Sequence, residues 1–269
     1  MSRTNSNASS TFFVQSLAKG LSVLKAFGHD NPQLTLSDVA REVGLSRAAA
    51  RRYLLTFEAL GYVASDGRLF TLRPRVLELG YAYLSSIRLP SLALPHLEAL
   101  VAHTKESSSI SVLDGAEIVY IARVPTKRIM TVNIDVGTRF PAAATSMGRV
   151  LLAALEPDDR RQRIGRLVRY TDRTVVQVSR LETVLKRISE QGWAAVDQEL
   201  EEGLRSVAVP IRDNKGQVVA AANISAHASR ASMKDLQERF LPRLQSAVAH
   251  IEADLLQLPL QDTTRITGL

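Results

Sequence analysis

The chain of 269 residues contains no cysteine. That excludes a disulfide framework, a cysteine-ligated metal and a thiol nucleophile. No apolar run approaches the roughly 18 residues of a membrane span, so no membrane partner is expected. The opening MSRTNSNASST is polar and lacks the apolar core of a signal peptide, which points to the cytoplasm. The motifs GxSxG, HExxH, GxxxxGK and GxGxxG are all missing. The five histidines, His29, His96, His103, His227 and His250, are scattered without metal-ligand spacing. No catalytic residue, no metal site and no cofactor is therefore expected. What remains is 45% hydrophobic and 23% charged, the balance of a globular protein, long enough for one large or two ordinary domains.

Charge is unevenly spread. The whole chain carries +7, and residues 1–75 hold ten Lys/Arg against five Asp/Glu. A basic excess at one end suits phosphate attraction. The densest signal lies there, in Leu36 to Leu72, LSDVAREVGLSRAAARRYLLTFEALGYVASDGRLFTL. Val39, Ala40 and Val43 give a first helix its apolar face. Gly44 suits a helix end with positive φ, and Ser46 is a good N-cap for a second helix. In that helix Ala50, Leu54, Phe57 and Leu60 form one buried stripe. Ser46, Arg47, Ala48, Ala49, Arg51 and Arg52 then fall at its N-terminal end, mostly off the stripe. A recognition helix offers such residues to base edges, and arginine pairs with guanine or phosphate. Asp66-Gly67, between Tyr62–Ala64 and Leu69–Thr71, signals a hairpin, a wing with Arg68 at its tip. The order reads as a winged helix-turn-helix for double-stranded DNA. A solvated amphipathic helix beside a surface hairpin is the plain alternative.

Around this core, Leu17, Leu21, Leu24 and Phe27 place a helix over Val14–Phe27, packing under the other two and broken by His29–Pro32. Arg75–Ile87 reads as a linker helix whose apolar side also suits a dimer. Beyond Pro90 and Pro95 the elements alternate. Helices are expected at Leu92–Val101, Ser146–Leu155, Ser179 to Gly192, with Ser179 as cap, and Ser232–Leu256, bent near Pro242. Strands are expected at Ser109–Leu113, Glu117–Val124, Ile129–Val136, Trp193–Val196, Arg205–Ile211 and Val218–Ser225. Strand hairpins with helices to one side give an α+β sheet domain.

Within it, Phe140 to Gly148 runs small residues into a helix capped by Thr145 or Ser146. Free N–H groups and the helix dipole meet there, so an anion such as a carboxylate fits, as does a plain capped helix. Asp197 to Glu202 places four acids in six residues, which also reads as a solvated loop. Asn223 and Ser225 share one face of an apolar strand and need partners, a ligand being one candidate.

With these residues stated, the chain resembles the IclR family of bacterial transcription regulators. The likeness runs from Phe12 to Leu256, through SLAKGLSVLKAF, the helix-turn-helix, GTRFPAAATSMGRVLLAAL and GWAAVDQELEEGLRSVAVPIRD. The last two, with NISAHASR, are most like the subgroup of PcaR, PcaU and PobR, regulators of protocatechuate and 4-hydroxybenzoate catabolism. The resemblance implies a winged-helix domain, a linker helix and a C-terminal effector-binding domain with a GAF-like sheet. It implies a homodimer or dimer of dimers on a palindromic operator, and a small aromatic carboxylate as effector. The expected divisions are a disordered arm at 1–11, the DNA-binding domain at 12–74, the linker at 75–90, the effector domain at 91–258 and a tail at 259–269. Carried over by motif, the effector site takes Thr145, Ser146, Met147, Asp197 or its neighbour, Leu204, Ser206, Asn223 and Ser225. Some members carry cysteine at the Ser206 position and serine at the Asn223 position. Arg123, Arg139 and Arg205 are candidates to pair with a carboxylate. A ligand-independent DNA-binding protein and an enzyme acting on small carboxylic acids are the competing readings.

Overall fold

The structure is a computed structural model that describes residues 12–28, 30–126 and 134–257. The expected arm, 1–11, and tail, 259–269, lie outside the described residues. Two compact units divide between Tyr83 and Leu84, inside the segment read as a linker.

The first unit is three helices and a three-stranded sheet. Helix α1 spans Gln15–Lys25, followed by β1 Gln33–Thr35, α2 Leu36–Val43 and α3 Arg47–Ala59. Strands β2 Val63–Ser65 and β3 Leu69–Leu72 form the hairpin, and β1 adds to β3 in an antiparallel sheet of order β1-β3-β2. Strand β1 was not expected, because three residues after Pro32 are too few to show alternation. Helix α2 starts on a reciprocal cap: Thr35 Oγ1 accepts from Asp38 N at 3.2 Å while Asp38 accepts from Thr35 N. Gly44 ends it at φ 68°, a left-handed position where a side chain would be strained.

The core of this unit joins Val23, Leu24 and Phe27 to Val39, Ala40, Ala50, Leu54 and Phe70. Three expected core residues are outside it. Leu17 and Leu21 are 63% and 45% exposed, and Leu60 is 50% exposed. Val23 rather than Leu21 fills the α1 contact, and Leu60 is the C-cap residue of α3, past its last turn. The expected linker helix is shorter. Pro74–Val76 forms a single 3₁₀ turn, α4 spans Leu77–Leu84, and the next helix, α5, begins at Leu89 and reaches Thr104.

The second unit is one six-stranded antiparallel sheet. Its strands are β4 Ser107–Asp114, β5 Glu117–Val124, β6 Arg139–Pro141, β7 Ala194–Asp197, β8 Leu204–Arg212 and β9 Val218–His227. Their order is β6-β5-β4-β9-β8-β7. The strand expected at Ile129–Val136 lies mostly outside the described residues; Ile134–Val136 form no strand, and β6 pairs with β5 instead.

Helices cover both faces of this sheet rather than one. α5 and α10, Leu241–Leu256, pack on one face; α6, Ser146–Ala153, packs on the other with α8, Val178–Gln191, against it. Strand β9 shows why. Ala220, Ala222, Ile224 and Ala226 join the α5–α10 core, while Ala221 joins the α6–α8 core. Successive side chains point to opposite faces, so a strand buried on both sides reads as nearly continuous apolar sequence. The short helix α7, Pro157–Arg163, was not foreseen, and α8 begins at Val178 with Gln177, not Ser179, at the cap position. The bend near Pro242 takes the form of a π-helical turn, Leu236–Phe240, between the short α9, Met233–Asp235, and α10. Proline cannot donate the N–H that an α-helical ladder needs there.

Candidate nucleic-acid interface and ligand cavity

In the first unit, the Oγ of Ser46 accepts from Ala49 N at 3.2 Å and sets the start of α3. Leu45 N donates to Ala40 O at 2.8 Å, closing the turn between α2 and α3. Burying Ala50 and Leu54 turns the opposite side of α3 outward. Ser46, Arg47, Ala48, Arg51 and Arg52 are exposed there, and Ala49 is half-buried. Arg47, Arg51 and Arg52 make no ion pair or side-chain hydrogen bond among the described residues. Arg68 is exposed at the hairpin tip. Asp66 fixes that tip by accepting from Leu69 N at 2.7 Å and Arg68 N at 2.8 Å, and these bonds hold its carboxyl below the usual carboxylate range. Arg75 is used differently: it donates to Leu60 O at 2.9 Å and lies over the Tyr62 ring. A guanidinium so engaged braces the wing's base, whereas the α3 arginines stay available to an external anion.

In the second unit a cavity of about 310 Å³ lies between the sheet and α6. One wall is the start of α6. Thr145 Oγ1 accepts from Gly148 N at 3.1 Å, so Thr145 is the cap. The N–H groups of Ser146 and Met147 open the helix, ahead of its internal ladder. Ser146 is buried, lines the cavity, and its Oγ has no hydrogen-bond partner among the described residues. Helix α6 can sit this close to the preceding turn, Ala142–Ala144, only because residue 148 is glycine: a Cβ there would overlap the Ala142 backbone.

The floor is the sheet. Asn223 Oδ1 accepts from Ser109 N at 3.1 Å, which fixes the amide orientation. Its Nδ2 then donates to Ser225 Oγ at 3.0 Å. Ser225 already accepts there, so its own proton is left to offer to the cavity. Ser206 sits beside it across the β8–β9 pair. Tyr120 and Phe140 pack edge-to-face at 5.9 Å, and burial pushes the Tyr120 phenol up to about 12, keeping it neutral.

The rim is the 198–203 loop, which brings Leu200 and Glu201 to the cavity. A buried ion pair holds it. Arg149 of α6 reaches both Glu199 oxygens at 2.6 Å and donates from Nε to Ala143 O at 2.8 Å. Glu199 also accepts from Val175 N at 2.9 Å, and Thr171 and Thr174 donate to the carbonyls of Gln198 and Glu199. Gln198 takes a left-handed φ of 58° in this clasp.

Of the effector residues expected from sequence, Thr145, Ser146, Met147, Leu204, Ser206, Asn223 and Ser225 line the cavity together. Asp197, Arg123, Arg139 and Arg205 do not. Burial opposes ionisation of Asp197, but hydrogen bonds from Arg205 and Gln198 outweigh it and keep its carboxyl low, with Arg173 also paired to it. Arg205 also donates from Nη1 to the carbonyls of Ala228 and Ala231. Arg139 bridges Asp114 and Glu117 at 2.7 and 2.8 Å. Arg123 is half-buried, with Ser109 Oγ 3.5 Å from its Nη1, and burial lowers its pKa. Sequence reasoning missed Tyr120, Ile134, Tyr170 and Val196; it singled out the 197–202 run but named Asp197 or its neighbour, where Leu200 and Glu201 line the cavity. Alternation along β5 could have pointed to Tyr120; Tyr170 lies in irregular chain and carries no such signal. No group of three His, Asp or Glu able to hold a metal occurs among the described residues, nor any helix long and apolar enough to cross a membrane.

Comparison with known proteins matches both units. The model of the IclR helix-turn-helix domain covers residues 16–67, and that of the bacterial transcriptional regulator IclR C-terminal domain covers 81–253. The Pca regulon regulatory protein of Pseudomonas putida is 45% identical over 238 residues, 87% of this chain and 82% of its own length. A crystal structure from Rhodococcus sp. RHA1 shares 53% identity at a TM-score of 0.80, over 92% of this chain and 100% of that one. An IclR homologue from Microbacterium hydrocarbonoxydans, solved with 4-hydroxybenzoate, shares 28% identity at a TM-score of 0.78, over 90% of this chain and 100% of that one. With its helix-turn-helix, its two-faced sheet unit and these relatives, the chain belongs to the IclR family of bacterial transcriptional regulators.

Proposed function

We propose that the operator affinity of this regulator is set by a small aromatic carboxylic acid of the 4-hydroxybenzoate or protocatechuate type, bound in the sheet–α6 cavity. The observation that carries the reading is the set of donors around that cavity: Ser146 Oγ, without a partner among the described residues, the opening N–H groups of α6, and the Ser225 hydroxyl on the sheet. A carboxylate satisfies these donors and gains from the helix dipole. Thr145, Ser146, Met147, Leu204, Ser206, Asn223 and Ser225 are the contact residues; the arginines outside the cavity are not. About 310 Å³ is at the small end of the roughly 300–1,000 Å³ of ligand pockets, which suits a single ring. The Pca regulon name of one relative and the 4-hydroxybenzoate in another structure support the same ligand class. The chain is a binding protein in this account, not an enzyme.

On DNA, residues 12–74 form the reading head. Arg47, Arg51, Arg52 and Arg68, with Ser46, Ala48 and Ala49, make the contact surface, and two subunits reach half-sites about 34 Å apart on a palindrome. Exposed Leu17 and Leu21 on α1, and Leu77, Leu79 and Tyr81 on α4, offer apolar surface for a homodimer or a dimer of dimers. Effector binding shifts the population between subunit arrangements of unequal operator affinity.

Arg51→Ala is expected to weaken specific binding by about 1–3 kcal/mol if Arg51 reads a base. Fluorescence anisotropy on operator and scrambled duplexes checks this. Equal losses on both would make Arg51 a phosphate contact. Calorimetry with 4-hydroxybenzoate and protocatechuate tests the ligand class, and no heat or thermal shift with either would favour ligand-independent DNA binding.

A further inference from the structure

Among the described residues that line the cavity, Glu201 is the one with a formal charge. Its position departs from everything around it. The other polar side chains on the walls are uncharged: Thr145 and Ser146 at the start of α6, Ser206, Asn223 and Ser225 on the sheet, and the phenols of Tyr120 and Tyr170. Glu201 comes instead from the rim loop between β7 and β8, an element separate from both the helix start and the sheet floor. It is half-buried, and its side chain makes no hydrogen bond or ion pair among the described residues. The neighbouring acids of the same run take the arginines instead: Glu199 pairs with Arg149, and Asp197 with Arg205 and Arg173. The loop itself is held by Arg149–Glu199 and by Gly203 N, which donates to Gln198 Oε1 at 3.0 Å. Glu201 is therefore an acceptor at the cavity rim with no partner among the described residues.

A second observation says that something belongs between these walls. Ser146 is only 1% exposed and lines the cavity, and its Oγ has no hydrogen-bond partner among the described residues. Among the described residues the cavity thus has donors at the start of α6 and on the sheet floor, and a carboxylate on its rim. A ring with a carboxylate at one end and a hydroxyl at the other matches that polarity. A benzoate without a hydroxyl leaves Glu201 facing apolar ring surface and stripped of water, which is unfavourable for a charge. A ring with a second carboxylate meets it head-on with like charge.

We infer that Glu201 is the specificity residue of this site: it accepts a hydrogen bond from a ring hydroxyl remote from the effector's carboxylate, and so selects hydroxybenzoates against unsubstituted and dicarboxylic benzoates. This rests on the aromatic-acid reading above. The bond from a phenol to a carboxylate is charge-assisted, worth about tenfold to a hundredfold in affinity. It also orients the ligand, since the like charge of Glu201 keeps the effector's carboxylate at the start of α6.

The test is isothermal calorimetry on the full chain and its E201A and E201Q variants. The ligands are 4-hydroxybenzoate, 4-methoxybenzoate, benzoate and terephthalate. Methoxybenzoate keeps the oxygen and removes the donor. The wild type is expected to bind 4-hydroxybenzoate about tenfold or more tightly than benzoate and methoxybenzoate, and terephthalate weakest. In E201A the hydroxybenzoate preference over benzoate collapses toward unity while benzoate binds as well or better. In E201Q terephthalate gains, because the charge is gone. A hydroxyl preference that survives unchanged in E201A overturns the role of Glu201 and leaves the aromatic-acid reading standing. No heat from any of the four acids in the wild type overturns both.

Discussion

Replacing Arg149 with methionine is expected to destabilise the second unit by about 3–5 kcal/mol, the cost of breaking a buried ion pair by removing one partner. Arg149 is 2% exposed and Glu199 8%, so the remaining carboxylate would face the interior without a counter-charge. The 198–203 rim would lose its tie to α6, although Val175 N would still donate to Glu199. The double replacement Arg149→Met with Glu199→Leu is expected to cost less than Arg149→Met alone, because no lone charge remains and the site keeps its volume. Urea unfolding followed by tryptophan fluorescence reads this out cleanly. The chain has one Trp, and Trp193 packs against the α5–α10 core of the same unit. A single variant that loses under about 1 kcal/mol, or a double variant that loses more than the single, would contradict the assignment of the pair as the anchor of the rim.

The second large effect is expected at Gly148. An alanine Cβ there overlaps the O, Cα and C atoms of Ala142. These are backbone atoms in a 3₁₀ turn, so no side-chain rotation relieves the clash, and α6 must move away from the turn. Overpacking of this kind costs about 1–3 kcal/mol. The larger consequence is for binding. Ala144, Thr145, Ser146 and Met147 all line the cavity, and they come from the turn and the helix that Gly148→Ala drives apart. Calorimetry with 4-hydroxybenzoate should show affinity falling at least tenfold, with non-specific DNA binding unchanged, since α3 and the wing belong to the other unit. Unaltered ligand affinity in Gly148→Ala would remove α6 from the site.

These two positions also mark where sequence reasoning stops. The first unit was legible because its signals are local: Gly44 and Ser46 bracket the turn between α2 and α3, and Asp66-Gly67 sets the hairpin. A stripe at helical spacing identified Ala50 and Leu54, but spacing alone could not say that α3 ends at Ala59 and leaves Leu60 outside. The same limit misplaced Leu17 and Leu21. In the second unit, Asn223, Ser225, Ser206 and the capped start of α6 were found because a polar residue on an apolar strand, or a cap after small residues, stands out on its own. The arginines did not follow that logic. Their charge is visible in sequence, but their partners are far along the chain: Arg139 with Asp114, Arg205 with Asp197, Arg149 with Glu199. The acidic run from Asp197 to Glu202 carried three fates that no spacing distinguishes. Asp197 braces Arg205, Glu199 anchors to Arg149, and Glu201 borders the cavity. Helices on both faces of the sheet were likewise hidden, because small residues such as Ala220 to Ala222 do not announce which side is covered.

The central claim is that one chain couples operator DNA to an aromatic acid. The direct measurement is the affinity of the full chain for its own upstream intergenic DNA, titrated at physiological salt with and without saturating 4-hydroxybenzoate or protocatechuate. The account predicts specific binding well above that for random duplex, and a change of about 5–150-fold on adding the acid, matched by an equal change in acid affinity when DNA is bound, as linkage requires. Binding with no preference over random duplex, or an operator affinity that neither acid alters, would contradict it.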